Sequence, residues 1–215
     1  MTTTEGCEEP LGRRERKKLE THQNIRRVAL DIALEIGAEN LTVEAITKAA
    51  DVSQRTFFNY FSSKEDALTT DASAMAEKLV PLILNRPEGE SPLHVLRTAL
   101  LDSDPFAFLH ADRERTLDRC RLIRENAALM SRQLTQFAHL ERTFAEAIAG
   151  RLGLDPEHDL RPNLLAGITS SVLRVAMSHW TADGQKPLRE VISSAFDLLE
   201  QGLLTNQGTG TLEQR

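Results

Sequence analysis

The sequence is poor in the residues that carry covalent or metal chemistry. It holds two cysteines, Cys7 and Cys120, in 215 residues. Neither has a cysteine neighbour, which speaks against a disulfide scaffold and against a thiolate-held zinc. The six histidines, His22, His94, His110, His139, His158 and His179, include no pair at i,i+3 or i,i+4 spacing, so no metal site is expected. There is no P-loop, no dinucleotide fingerprint and no nucleophile elbow. Carboxylates are abundant but form no pattern that suggests acid–base work. The sequence therefore predicts neither an enzyme nor a cofactor. It also lacks an apolar run of the roughly 18–20 residues that span a bilayer, and a signal-peptide layout at its start. A reducing cytoplasm and no membrane partner are the expectation. Aromatics make up only 5% of the chain, so the core must be built from Leu, Ile, Val and Ala.

What is present is helical periodicity. Runs of alternating β-branched residues are missing, and Pro and Gly cluster between long periodic segments, so the fold class is all-α. Ile25, Val28, Ala29, Ile32, Ala33 and Ile36 recur at one helical face and predict a first helix over about Arg14–Ile36, ended by Gly37. Thr42 caps a second helix with Val43, Ile46 and Ala49/Ala50 on its inner face. Asp51-Val52-Ser53 is a turn, and Ser53 caps a third helix from Gln54 to about Phe61. Ser63-Lys64-Glu65-Asp66 opens a fourth helix expected to persist to about Leu84, with Pro81 marking a kink or an early end. Further helices are predicted over Pro92–Leu101, Pro105–Asp112, Arg113–Asn126, Ala127–Leu152, Glu157–Thr181 and Pro187–Leu203, several opening on a capping side chain followed by Pro. The polar ends, 1–12 and 205–215, read as tails. No internal repeat is visible.

The formal charge is −6, unevenly spread. From Pro10 to Lys64 there are ten Lys/Arg against seven Asp/Glu, whereas from Glu65 onward there are sixteen against twenty-two. A mildly basic head on an acidic body suits nucleic-acid binding by the head; chance asymmetry gives the same counts. The Arg13–Lys18 run is either a solvated helix start or an arm that reaches phosphates or the minor groove. The third helix is short and presents Gln54, Arg55, Thr56, Asn59 and Tyr60 outward, with Val52, Phe57 and Phe61 behind it. Such a helix fits the major groove. Arg55 suits guanine O6/N7, Gln54 or Asn59 suits adenine, and Thr56 suits a phosphate or a thymine methyl. Thr42 can offer its hydroxyl and free N–H groups to a phosphate. Lys64 stands in the first turn of a helix, where the helix dipole disfavours a cation; a DNA phosphate would supply the reason.

As a set, Thr42, Ala49-Ala50, Val52-Ser53, Thr56, Phe57-Phe58, Phe61, Ser63-Lys64-Glu65 and Leu68 resemble the N-terminal domain of the TetR family of transcriptional regulators. The resemblance covers about Arg14–Leu68. It implies a three-helix helix-turn-helix domain over residues 13–68 and a helical ligand-binding and dimerisation domain over 69–204. It makes Thr42, Ser53, Gln54, Arg55, Thr56, Phe58, Asn59, Tyr60 and Lys64 the DNA-contact candidates. At Phe58 many relatives carry Tyr, so a phosphate hydrogen bond is lost there. Phe58 then packs on sugar or a thymine methyl, or Tyr60 takes over the contact.

The resemblance further implies a homodimer that binds a pseudo-palindromic double-stranded DNA operator, most often as a repressor, and is released by a small-molecule effector. The interface candidates are Leu164, Ile168, Val172, Trp180, Leu188, Val191, Ala195 and Leu198, although the same helices would also serve to complete a monomer core. An effector pocket would draw on Phe106, Leu109, Leu122, Arg124, Met130, Phe137 and Met177, each of which reads equally as plain core. The run Arg113, Arg115, Arg119, Arg121 and Arg124 is either a charge-laced exposed helix or a clamp for an anionic ligand such as a carboxylate or an acyl-CoA. The rival function is a small-molecule sequestering protein that keeps the helix-turn-helix as scaffold.

Overall fold

Several helix starts in this chain are set by side chains that accept orphan backbone N–H groups, each such cap stabilising by about 1 kcal/mol. Thr42 Oγ1 accepts from Ala45 N at 3.1 Å, Ser53 Oγ from Thr56 N at 3.0 Å, Ser63 Oγ from Asp66 N at 3.3 Å and Asp71 Oδ1 from Ala74 N at 2.9 Å. Further along, Ser91, Asp112 and Asn126 do the same for the helices that follow them. The computed structural model describes residues 12–102, 112–183 and 186–202. Among these, ten helices are present: α1 Arg13–Ile36, α2 Val43–Ala49, α3 Gln54–Phe58, α4 Lys64–Leu68, α5 Ala72–Leu84, α6 Pro92–Asp102, α7 Arg113–Glu125, α8 Ala127–Leu152, α9 Leu160–Asp183 and α10 Leu188–Glu200. The described residues include no strand, and none of their helices is long and apolar enough to cross a membrane.

The chain divides into two compact units. One holds the residues up to Thr70 together with Arg121–Gln133; the other holds Asp71–Cys120 and the residues from Leu134 on. The boundary expected after residue 68 therefore meets a first unit that also takes in the end of α7 and the start of α8. Ile123 and Leu129 from that stretch are buried with Ile25, Ala29, Leu30, Ile46, Phe57 and Leu68 in a single apolar cluster. At the other end of α1, residues 12–20 are exposed. The α2–α3 turn is tightened by Asp51, at φ 55°, a left-handed conformation that Asp tolerates better than most side chains. Asn24 Nδ2 donates to Ala50 O at 3.1 Å and satisfies the end of α2.

The second unit packs Leu79 and Ile83 of α5, Val95 and Leu96 of α6, Leu140, Phe144 and Ile148 of α8, Val172, Leu173, Ala176 and Trp180 of α9, and Leu188, Ile192 and Phe196 of α10 into one core. Arg97 of α6 reaches Asp197 of α10 at 2.7 Å and donates to Ser193 Oγ at 2.9 Å.

Several elements differ from the periodicity reading. The fourth helix does not run from residue 64 to 84. Thr69 turns extended (ψ −178°), and Asp71 caps a new helix. The break is held open by Gln133, which accepts from Thr70 N at 3.0 Å and donates to Thr70 Oγ1 at 2.6 Å. Pro81 does not end α5, which continues to Leu84. The third helix stops at Phe58, where Tyr60 N donates to Phe57 O, three residues back, in place of the helical bond to Thr56 O. Asp155 caps a turn through Glu157 N at 2.9 Å, and α9 starts only at Leu160. The last helix ends at Glu200, followed by Gly202 at φ 76°. The helix expected over Pro105–Asp112 and the two terminal tails fall almost wholly outside the described residues.

Candidate nucleic-acid interface

The helix-turn-helix is built from behind. Phe57 is fully buried, and its ring meets Phe61 at 5.5 Å and Phe58 edge-on at 5.4 Å. Phe61 stacks on His22 of α1 at 4.7 Å. With that face fixed, α3 must turn Gln54, Arg55, Phe58 and Asn59 outward, and all four are exposed. Phe58 leaves 55% of its surface open, so its ring is available to pack on a partner. Arg55 is exposed, and its guanidinium makes no hydrogen bond or ion pair with another described residue.

The other candidates are more committed within the chain. Gln54 Nε2 donates to Glu44 Oε1 at 3.0 Å, so α2 orients its amide. Ser53 and Thr56 share a hydroxyl–hydroxyl hydrogen bond of 2.8 Å at the start of α3. Thr42 is exposed, with its oxygen on Ala45 N. Tyr60 is half-buried against His22, ring centres 6.0 Å apart. Lys64 has a reason other than a phosphate. Its Nζ donates to Leu41 O at 2.7 Å, Glu39 O at 3.1 Å and Ala38 O at 3.3 Å. An ammonium has three donors, and this loop between α1 and α2 takes all three. Position in the first turn thus reflects reach to that loop, which spacing alone does not reveal.

Residues missed by pattern reading support the same unit. Arg132 of α8 pairs with the nearly buried Asp66 carboxylate, and Arg26 of α1 donates to the Asp66 and Thr69 carbonyls. The signal was faint in sequence: an acidic side chain at the third position of α4 reads as a capping-box member, whereas its Oδ2 accepts from Ser62 N at 3.1 Å.

The effector candidates are divided between the two units and the residues outside the described ones. Phe106 and Leu109 lie outside the described residues. Leu122 and Met130 pack on the core of the first unit, Arg124 is exposed, and Met177 packs on the core of the second. Phe137 is half-buried. Among the interface candidates, Val172, Trp180 and Leu188 are corrected outright. They are at most 6% exposed within their own chain and belong to its core, so no second copy can reach them. Helix α9 is apolar on more than one face, and the sequence does not say which face its own unit takes. Leu164 and Leu198 remain open at 63% and 55%; Ile168, Val191 and Ala195 are half-buried. No cluster of metal-ligating side chains occurs among the described residues.

Comparison with known proteins agrees with this architecture. Residues 25–68 match the family model described as bacterial regulatory proteins, tetR family, and residues 90–204 match one described as the MftR C-terminal domain. The HTH-type transcriptional regulator TcmR of Streptomyces glaucescens is 32% identical over 195 residues, which cover 86% of this chain and 84% of that protein. A putative mycofactocin biosynthesis transcriptional regulator, MftR, of Mycobacterium tuberculosis is 29% identical over 188 residues, 87% of this chain and 93% of that one. Among solved structures, Thermus thermophilus FadR in complex with lauroyl-CoA superimposes with a TM-score of 0.50 at 22% identity, covering 88% of this chain and 98% of its own. A SmeT–triclosan complex gives 0.52 at 18%, covering 91% and 98%. At these identities the two structures speak for the fold. The chain belongs to the TetR family of DNA-binding transcriptional regulators.

Proposed function

We propose that the protein binds a pseudo-palindromic operator as a homodimer, through residues 13–68, and that a small molecule taken up within residues 69–204 releases it. Helix α3 enters the major groove in each half-site, and the two half-sites lie about 34–36 Å apart. Arg55 reads guanine. Phe58 packs on sugar or a thymine methyl, and Asn59 and the Glu44-oriented Gln54 contact base edges. Thr42, Ser53 and Thr56 present helix N-termini to phosphates, and Tyr60 flanks the groove. Lys64 acts from within, by holding the α1–α2 loop.

The observation that carries this reading is the contrast on α3: Phe57 fully buried, Arg55 exposed and its guanidinium with no partner among the described residues. An arginine kept solvent-facing on a helix pinned from behind suits a bidentate acceptor outside the chain. Dimerisation falls to the open apolar side chains of α9 and α10, of which Leu160 is 83%, Leu164 63%, Val175 53% and Leu198 55% exposed. Effector binding is supported by the solved neighbours that hold lauroyl-CoA and triclosan. Each ligand then weakens the other's binding by the same factor, and repression is the expected outcome at the promoter. A gel shift of the protein on its own upstream region, across a salt series, tests the reading. A discrete complex that persists against competitor DNA is expected. Binding that is sequence-blind at every salt concentration would instead favour a sequestering protein with a vestigial helix-turn-helix.

A further inference from the structure

Among the described residues, one side-chain nitrogen is both shut off from solvent and without a hydrogen-bond partner: Nε of Arg119, on α7 in the second unit. The rest of the arginine run on that helix is different. Arg113, Arg121 and Arg124 are exposed, and Arg115 is half-buried and paired with Asp112 at 3.6 Å. Arg113 lies over the Trp180 ring, 5.3 Å from its centre. Arg119 is half-buried like Arg115, and of the five it alone has a nitrogen, Nε, closed off from solvent with no partner.

An arginine cannot escape burial by losing its proton, because its pKa stays far above neutrality. Burial pulls the Arg119 pKa below the ordinary value; Cys120 opposes that, Arg115 adds to it and Asp112 opposes it. Asp112, a carboxylate that acts on Arg119, is already engaged: it accepts from Arg115 N at 3.1 Å and pairs with the Arg115 guanidinium. A donor desolvated and left unpaired in this way is unfavourable for the free protein. It becomes favourable when an anion enters, because a planar fork takes a carboxylate or phosphate through two parallel hydrogen bonds.

We propose that Arg119 receives the oxyanion, carboxylate or phosphate, of the effector bound by the second unit. The proposal rests on the reading of that unit as the effector domain, and adds to it the effector's charge and the residue that selects it. Within one buried site, a neutral molecule of the same apolar bulk leaves Nε unpaired and is discriminated against for that reason.

The test uses the full-length protein with three probes of one chain length: sodium laurate and lauroyl-CoA below their micellar concentrations, and neutral 1-dodecanol below its solubility limit. The single tryptophan, Trp180, gives a fluorescence readout from the same unit, and thermal melting gives a second. Wild type is expected to bind laurate or lauroyl-CoA about tenfold or more tighter than dodecanol. Preference for laurate alone assigns a carboxylate, and preference for lauroyl-CoA alone assigns a phosphate. Arg119→Met removes the fork and keeps an apolar stem; it should lose the preference, keep its dodecanol affinity, and melt no lower than wild type when unliganded. Arg119→Gln serves as the second variant. A wild type that binds dodecanol as well as the anions overturns the role of Arg119 and leaves the effector reading standing. So does an anion preference that survives both substitutions, or a marked fall in the unliganded melting temperature of both variants, which would make the guanidinium part of the fold. A wild type that binds none of the probes, and whose operator complex none of them releases, overturns the effector reading itself.

Discussion

Arg132 and Asp66, 66 residues apart in sequence, are joined by an ion pair that ties the start of α8 to α4. Arg132 also donates to Ser62 Oγ at 3.2 Å, and the opposite carboxylate oxygen accepts from Ser62 N. The Asp66 side chain is 9% exposed and that of Arg132 34%. The two partners therefore carry unequal risk. Losing Arg132 takes the cation away from a nearly buried carboxylate that keeps its Ser62 hydrogen bonds, which costs about 1–3 kcal/mol, whereas losing Asp66 leaves an arginine that can turn to water.

The first prediction follows from that asymmetry. Arg132→Ala should lower the urea midpoint of unfolding without changing the slope. Adding Asp66→Asn to it should cost much less than the sum of the two single changes, since neighbours in one network do not add. A double-mutant cycle in urea measures this, and strict additivity would show that the pair contributes nothing.

Lys64 supplies the second. Three carbonyls of residues 38, 39 and 41 hold its ammonium, so Lys64→Met should destabilise the first unit by about 1–3 kcal/mol. Operator affinity, measured below the melting range, should keep its salt slope. A phosphate contact would instead reduce that slope by about 1, and filter-binding titrations across a salt series separate the two outcomes.

How much of this was legible in the chain depends on the kind of signal. Thr42, Ser53 and Ser63 stood out because a cap is local: the side chain and the N–H it satisfies lie three residues apart. The core of the first unit was readable for the same reason, as the stripe on α1 repeats at helical spacing. The break between α4 and α5 was not readable, because the group that satisfies Thr70 is Gln133, 63 residues away. The same holds for Lys64, whose acceptors lie 23 to 26 residues back. Trp180 misled for another reason. Large aromatics are favoured both in cores and as interface anchors, and only tertiary packing shows that this one is buried at 2% exposure in its own unit. The arginine run on α7 showed its charge but not which member has a nitrogen shut off from solvent.

The third prediction concerns the open face of α9 and α10. Leu164→Glu and Leu198→Glu together should give a protein that sediments as a monomer with an unchanged helical circular-dichroism spectrum, because both side chains are largely exposed within one chain. Trp180→Glu should instead unfold the second unit, since it places a charge in the core. If the Leu164/Leu198 double variant sediments as a dimer, these two residues do not form the interface.

The last prediction separates reading of bases from attachment to the backbone. Arg55 is exposed on α3, and the buried Phe57 two residues on fixes the helix face it projects from. Arg55→Ala should leave the urea midpoint within experimental error of wild type, because surface substitutions away from caps and cores act within about 0.5 kcal/mol. Operator affinity should fall by about 1–3 kcal/mol, and binding should become indifferent to base identity at a single symmetric pair of positions. Glu44→Ala acts differently: it releases Gln54 from its 3.0 Å hydrogen bond and should broaden preference at the position next to that pair while costing less affinity. Selection of bound sequences from a randomised operator library, wild type against each variant, shows both effects in one experiment. A variant of Arg55 that loses affinity equally for every sequence would reassign the guanidinium to a phosphate and leave base recognition to Asn59 and Gln54.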